Sequence, residues 1–365
     1  MALQKIPGRA IQLDSQVNSD VMYHDGTDWV RLAKGTAGEV LSVNEAGTYP
    51  TWGSTWQFQG DYNGYSMGGN DNTAGNVLSN VIERNSYASD TDSVDVGDLV
   101  FARNGCTPSW KSMTHGYVSG GSANTTPALV YNQIEKFQFA ASSNAVDTAD
   151  LVYAASHSAG HSSALNCYAS GGGLITPTRT DRIEKFVKAT EVNSTDIANL
   201  TIATGNPFGS SSTDHGFTAG GTDSDGPSPD GAHNVISRFS FSTDSDSTDV
   251  GDLATITWAG AAGSSLTHGY ISGGYNHTTQ SSARIEKYAF ASTANATQIA
   301  VLTVARGNET LGPSSSTTHG YAAGGIQPGV GTCTIIDKYS FVTDANATDV
   351  GDLTSRKTSV SGTQN

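Results

Sequence analysis

The chain has 365 residues, 36% hydrophobic and 15% charged, with 42 glycines and a formal net charge of −15. Nucleic-acid binders neutralise phosphates with clustered Lys and Arg, whereas 19 such residues here face 34 Asp and Glu, so the composition argues against a nucleic-acid partner. No apolar run reaches the ~18 residues of a membrane span, and abundant Ser, Thr, Asn and Gly favour short strands and turns over helix.

Met1–Pro7 lacks the hydrophobic core of a signal peptide, which points to synthesis in a cytoplasm. Val21–His24 and Trp29–Leu32 flank Asp25–Asp28, and a short Asp-Gly loop between apolar runs is a hairpin signal. Gly35–Gly38, Val40–Val43 and Pro50–Gly53 continue the alternation of turn and strand. Residues 1–55 carry too little apolar mass for an independent core, so partners are expected to cover them. The runs DGT.WVRL, GTAGEVLSVN..G and P.WG resemble the amino-terminal or shaft modules of tail fibres and related virion proteins of tailed bacteriophages. The resemblance implies a module that attaches to the particle and forms a homo-oligomer, a trimer by preference.

Residues 56–365 are periodic. An aromatic followed three residues later by Gly-Gly recurs at Tyr65, Tyr117, Tyr168, Phe217, Tyr270 and Tyr321, and the leading glycines (Gly68, Gly120, Gly171, Gly220, Gly273, Gly324) are spaced by 52, 51, 49, 53 and 51 residues. Such a period signals an array of supersecondary units, each too small to bury its own faces. Each unit continues with an Ile-led run containing an acid and a base, as in Ile134–Phe137, and then an Asp-Val-Gly-Asp-Leu-type run, as in Asp95–Leu99. A further stretch such as Thr303–Arg306 closes the cycle.

Four short antiparallel strands per unit predict an all-β, six-bladed β-propeller beside a small N-terminal hairpin module. The Gly-Gly and aromatic pattern resembles the kelch repeat, although kelch blades carry a tryptophan on the fourth strand where this chain has Asp-Val-Gly-Asp-Leu. Counting leaves Thr354–Asn365 after the sixth unit. That tail is expected to supply the strand missing from the first blade and so close the ring, with Thr55–Gln59 as the rival. The six aromatics are expected as core between blades. Adjacent strand residues face opposite sides of a sheet, so the acid and the base of the Ile-led run should reach toward different neighbouring blades as an ion-pair ring.

No constellation of catalytic residues emerges, and neither a catalytic, a cofactor nor a metal site is assigned. His115, His215, His268 and His319 precede the repeat aromatic, but equivalent places on different blades lie too far apart to converge on one ion. The Asp-rich turns lack the spaced Glu of a calcium loop. Cys106, Cys167 and Cys333 are odd in number and fall in different repeats, as buried thiols and not a disulfide framework. The longest inter-strand loop, Thr222–Gly231, nominates Asp223, Asp225, Asp230 and His233 as loop binding residues.

The expectation is a non-enzymatic structural component of a bacteriophage tail, of fibre or tip type. Its partners would be other tail proteins and a host cell-surface glycan or protein, with no membrane insertion and no cofactor. A decoration or scaffold subunit without receptor, and a propeller enzyme acting on host glycans, are the alternatives.

Overall fold

The computed structural model describes residues 20–34, 40–43, 49–53, 56–73, 75, 77–123, 129–173, 179–223, 231–276, 278, 280–307 and 312–365. It divides into two units, Met1–Trp56 and Gln57–Asn365. In the first, Val21–His24 pairs antiparallel with Trp29–Leu32, and Val40–Val43 with Pro50–Gly53. The Asp25 carboxylate turns the first hairpin by accepting the Thr27 and Asp28 amides, each at 2.8 Å. Trp29, Leu41 and Tyr49 are exposed. Two-stranded ribbons are marginal alone in water, so these apolar faces call for cover.

The second unit is all-β, built of four-stranded antiparallel sheets of the propeller type. In chain order after the first, they are sheet 2 (Thr107–Lys111, His115–Ser119, Gln133–Gln138, Val146–Asp150) and sheet 3 (Ala159–Ser162, Asn166–Ser170, Thr180–Val187, Thr195–Thr204). Sheet 4 comprises Phe208–Ser211, His215–Thr222, Ala232–Ser240 and Thr248–Asp252, and sheet 5 comprises Ala261–Ser264, His268–Ser272, Ser282–Ala289 and Thr297–Arg306. Sheet 6 comprises Gly312–Ser315, His319–Ala323, Ile335–Ser340 and Thr348–Asp352. Sheet 1 takes its first strand from the far end of the sequence: Ser361–Gln364 pairs with Asn63–Met67, which is followed by Val81–Ser86 and Val94–Asp98.

Two details differ from the sequence expectation. Thr303–Arg306 prolongs the fourth strand of sheet 5, and the first strand of sheet 6 is Gly312–Ser315. First strands are made of small residues because neighbours approach so closely there: a Cβ on Gly160 would lie 1.7 Å from Pro108 O, and one on Gly362 2.0 Å from Pro313 O. Their hydroxyls lace consecutive sheets together. The amides of Lys111, Ser162, Ser211 and Ser264 donate to the hydroxyls of Ser162, Ser211, Ser264 and Ser315 in turn. Thr363 Oγ1 and Ser361 Oγ donate to Trp110 O and Thr107 O, joining sheet 1 to sheet 2.

Further out, the repeat aromatics pack against an aromatic at the end of the next sheet's third strand. Ring centroids are 5.1 Å apart for Tyr65 and Phe139, 4.8 Å for Tyr168 and Phe241, 4.7 Å for Phe217 and Phe290, and 4.4 Å for Tyr270 and Phe341. Tyr321 of sheet 6 stacks on Tyr87 of sheet 1 at 4.5 Å. Each pair is worth about 0.5–1.5 kcal/mol beyond the area it buries. The thiols of Cys106, Cys167 and Cys333 are free and buried in this packing, and burial pushes the Cys106 pKa up to about 11.

The Asp-Val-Gly-Asp run also acquires a role. A register shift lies between Ile82 and Glu83 opposite it, and Gly97, with a φ of +155°, packs so closely that a Cβ there would lie 2.5 Å from Ser143 O of the neighbouring sheet. Asp98 N of sheet 1 donates to Asn144 Oδ1 before the last strand of sheet 2, as Asp252 N of sheet 4 donates to Asn295 Oδ1 before the last strand of sheet 5. This run is thus where the next sheet's loop docks on the backbone.

Candidate functional site

The strand directions give every sheet two ends. At one, in sheets 2 to 6, the first strand turns into the second through a Ser-x-x-His or Ser-x-x-Asn turn; at the other lie the loops from second to third strand and the connections from one sheet to the next. The entering chain crosses the first end. Lys111 Nζ donates to Gln59 O at 3.1 Å, Gln59 Nε2 to Ser264 O at 2.8 Å, Gly60 N to Ser315 O at 2.8 Å, and Gln364 Nε2 to Phe58 O at 2.7 Å. Phe58–Gly60 therefore bridges sheets 1, 2, 5 and 6 instead of serving as a strand, which corrects the rival role considered for Thr55–Gln59. Burial draws the Lys111 ammonium down to about 7, Asp61 opposing and Lys188 adding to the shift.

The opposite end carries the loops of variable length and a set of aromatics that sequence reasoning did not single out. Phe101 stacks on Tyr131 at 5.5 Å with the Arg103 guanidinium 5.6 Å from the Tyr131 ring. Tyr153 holds the Arg182 guanidinium 3.6 Å from its centroid, and Trp258 packs on Tyr275 at 4.8 Å. Phe101, Tyr153, Val100 and Val152 are exposed. Their signal was present in the apolar pairs that directly follow Leu99 and Leu151.

The nominated loop residues do not form one cluster among the described residues. Asp225 and Asp230 lie outside the described residues. Asp223 N donates to Gly231 O at 2.7 Å and so closes the base of the loop. His233 is corrected from a loop residue to a buried strand residue, because it pairs with Gly221 and its Nε2 lies 3.0 Å from Thr204 Oγ1. Burial pulls its pKa down, with Asp223 opposing. Among the described residues no group of three or more His, Cys, Asp and Glu is placed to hold a metal ion. His115, His268 and His319 bond the preceding threonine hydroxyl, each at 2.8 Å, within their own turns.

The acid and base of the Ile-led run separate as the strand geometry requires and reach opposite neighbours. Lys136, Lys185, Lys287 and Lys338 reach Glu191, Asp244, Asp344 and Asp90 on the next sheet at 2.6 to 2.9 Å. These pairs are partly exposed and worth roughly 0–1 kcal/mol each. The acid reaches the other way, to a cation at the end of the preceding sheet's fourth strand or just beyond it: Glu135 to Arg103, Asp337 to Arg306, and Glu83 to Lys357. Both partners of each pair are buried.

One buried titratable group gives a pH prediction. His161 lies between Ser210 O and Ser170 Oγ, at 3.0 and 2.9 Å, and burial lowers its pKa from 6.5 to about 4. Between those values the unfolded chain binds the proton and the folded chain does not, so stability is present above pH 6.5 and is lost as the pH falls through 4. A shift of this size corresponds to about 3 kcal/mol. Denaturant titrations from pH 7 to 4 should show that loss, and His161→Gln should reduce it, with His157 keeping its own share because burial lowers its pKa to about 4 as well; an equal slope in the variant would assign the acid sensitivity elsewhere.

Neither the family models nor the curated proteins contain a match to this chain. Among solved structures the chain is similar in fold to one titled "Structure of YjhT", with a TM-score of 0.59 and 12% identity, covering 74% of this chain and 91% of that one. At that identity the likeness supports the propeller-type fold alone.

Proposed function

We propose that this protein is a structural component of a tailed-bacteriophage virion, of tail-fibre or tail-tip type. In this reading Gln57–Asn365 is a closed six-bladed, kelch-like propeller that presents one end to the host surface. Residues 1–56 join it to other tail proteins and to its own copies, as a trimer, through the faces of Trp29, Leu41 and Tyr49. The observation that carries the reading is the division of labour between the ends of the sheets. One end is occupied by the entering segment Phe58–Gly60, and the other bears loops of variable length around exposed aromatics. Recognition is commonly built from loops on a rigid scaffold, and planar aromatics supply stacking surface for sugar rings or for side chains.

The test uses the full-length protein on host cells. It should bind them and slow phage adsorption, and it should leave the surface polysaccharide intact. Phe101→Ala combined with Tyr153→Ala should weaken binding at least tenfold with the melting temperature kept within a few degrees. Full-length protein that neither binds nor competes would point to a decoration subunit, and release of reducing sugar would point to a glycan-cleaving enzyme.

A further inference from the structure

Each connection between sheets pairs for one residue with the chain leaving the second strand of the following sheet. The bridges join Asn104 to Ser122, Ser156 to Gly173, Gly205 to Thr222, Trp258 to Tyr275, Gly307 to Ile326 and, into sheet 1, Thr358 to Asn70. These positions are therefore equivalent, and five of the six pairs contain no aromatic residue. The connection from sheet 4 to sheet 5 sets two aromatics against each other.

Its backbone is fixed from several sides. Tyr275 N donates to Trp258 O at 2.7 Å, Trp258 N to Tyr275 O at 3.1 Å, and Thr257 Oγ1 to the same Tyr275 carbonyl at 3.0 Å. The residue that follows the bridge is left-handed, with a φ of +58° at Gly105, +54° at His157, Asn206 and Ala259, and +52° at Ser359. These residues are joined head to tail: Gly105 N donates to Ser359 O, His157 N to Gly105 O, Asn206 N to His157 O, and Ala259 N to Asn206 O. An alanine holds that conformation where the surrounding bonds over-determine it, so Trp258 stands on a rigid base.

The two rings pack with centroids 4.8 Å apart and planes at 50°, and both residues stay half-exposed. Trp110 spends its Nε1 on Tyr168 O at 2.7 Å in the core. By contrast, the Trp258 indole N–H and the Tyr275 hydroxyl reach solvent with no hydrogen-bond partner among the described residues. No Asp, Glu, Lys or Arg occurs between Asp252 and Arg284, in a chain of net charge −15. The loop that begins at Tyr275 instead exposes Thr278 and Gln280, and it is folded by Thr278 N on Asn276 Oδ1 at 3.0 Å and Gln280 N on Asn276 O at 2.9 Å. An aromatic face with neutral donors and acceptors beside it suits a polyol: the C–H face of a sugar ring lies on the indole while its hydroxyls take the hydrogen bonds. A phosphate or a carboxylate would find no cation within this stretch.

We propose that Trp258 and Tyr275 form a binding subsite for an uncharged pyranose residue of a glycan, with the indole N–H, the Tyr275 hydroxyl, Thr278 and Gln280 as its hydrogen-bonding groups. The proposal rests on the host-surface reading for the source of the glycan, whereas the affinity of the subsite for sugar is measured apart from it.

Saturation-transfer NMR of the full-length protein tests it, with the methyl pyranosides of glucose, galactose, mannose and N-acetylglucosamine and with purified host surface polysaccharide as probes. At least one probe should bind saturably, shift the Trp258 indole N–H resonance, and bind at least tenfold more weakly to Trp258→Ala and to Tyr275→Ala. Preference for the polysaccharide makes the surface glycan the source, and preference for a methyl pyranoside a free sugar. If host cells are not bound while a sugar still binds through Trp258, the subsite stands and the virion reading falls. If Trp258→Ala binds cells as the parent does, and periodate oxidation of their glycans changes nothing, the subsite falls and the host-surface reading keeps a protein receptor. Absence of saturable binding by every probe, or equal displacement by tetramethylammonium, would also overturn the subsite. Should the alanine variants fail to fold, the parent decides: a Trp258 indole resonance, assigned with Trp258→Phe, that stays in place at saturating sugar refutes the site.

Discussion

Deleting Ser361–Asn365 should lower the melting temperature by about 8 °C or more and make the protein prone to aggregate. The segment pairs along Gly64–Met67, and the Asn365 backbone adds three hydrogen bonds with Tyr62 and Asn63. Gln364 also holds Phe58 O across the end of the sheets, and Thr363 and Ser361 tie sheet 1 to sheet 2. At roughly 0.5–1.5 kcal/mol net for each hydrogen bond, the loss reaches about 5 kcal/mol or more. For a unit of this size 1 kcal/mol moves the midpoint by roughly 1.5 °C, which gives the shift stated. The deletion spares Lys357, so the buried Glu83 keeps its cation and the effect reports the strand. It also uncovers the edge of Asn63–Met67, and an unpaired edge recruits other chains. Scanning calorimetry and light scattering of the two proteins measure both consequences; a variant that melts and stays dispersed like the parent would show that the proposed ring does not depend on its last strand.

The strand content was legible because the signals were local. Gly-Gly with its leading aromatic, the Ile-led run and the Asp-Val-Gly-Asp run each mark one strand, and a fixed period makes one unit's reading support the next. Counting residues after the sixth unit pointed to the tail, and Ser361–Gln364 pairs with the Tyr65 strand. The first strands were less legible, because Ala159–Ser162 or Gly312–Ser315 carry no hydrophobic alternation. They are selected by the space between neighbouring backbones, which only the assembled sheets define. The second aromatic of each stacked pair was hidden for the same reason, its partner being some 70 residues away in most cases. The candidate site was least legible. Charged and polar loop residues drew attention to Thr222–Gly231, but His233 is drawn into the sheet by its pairing with Gly221. The acid of the Ile-led run was expected to reach a neighbouring blade, but its cation could not be named, because Arg306 and Asp337 are 31 residues apart and Lys357 and Glu83 lie near opposite ends of the repeats.

Arg306→Ala should destabilise the protein by about 3–5 kcal/mol, more than any substitution of the exposed Lys–Asp pairs between sheets. The guanidinium is fully buried and donates to the carbonyls of Ala322, Gly324 and Ile335 as well as to Asp337. Its removal leaves a carboxylate of 0% exposure without a cation and several carbonyls without a donor. Such a group costs far more when it is orphaned than the intact pair contributes, because the desolvation of the remaining charge is no longer offset. The chain itself contains the compensating solution. In sheet 4 the equivalent positions are Thr204 and Ser237, both neutral, and Thr204 Oγ1 donates to Gly220 O. The double variant Arg306→Thr with Asp337→Ser should therefore recover most of the loss, and a double-mutant cycle should return a coupling of about 2 kcal/mol or more between the two positions. Additive effects in that cycle, with each single substitution costing under ~1 kcal/mol, would mean that the pair is solvated in solution and that the cradle does not hold its arginine as a buried charge.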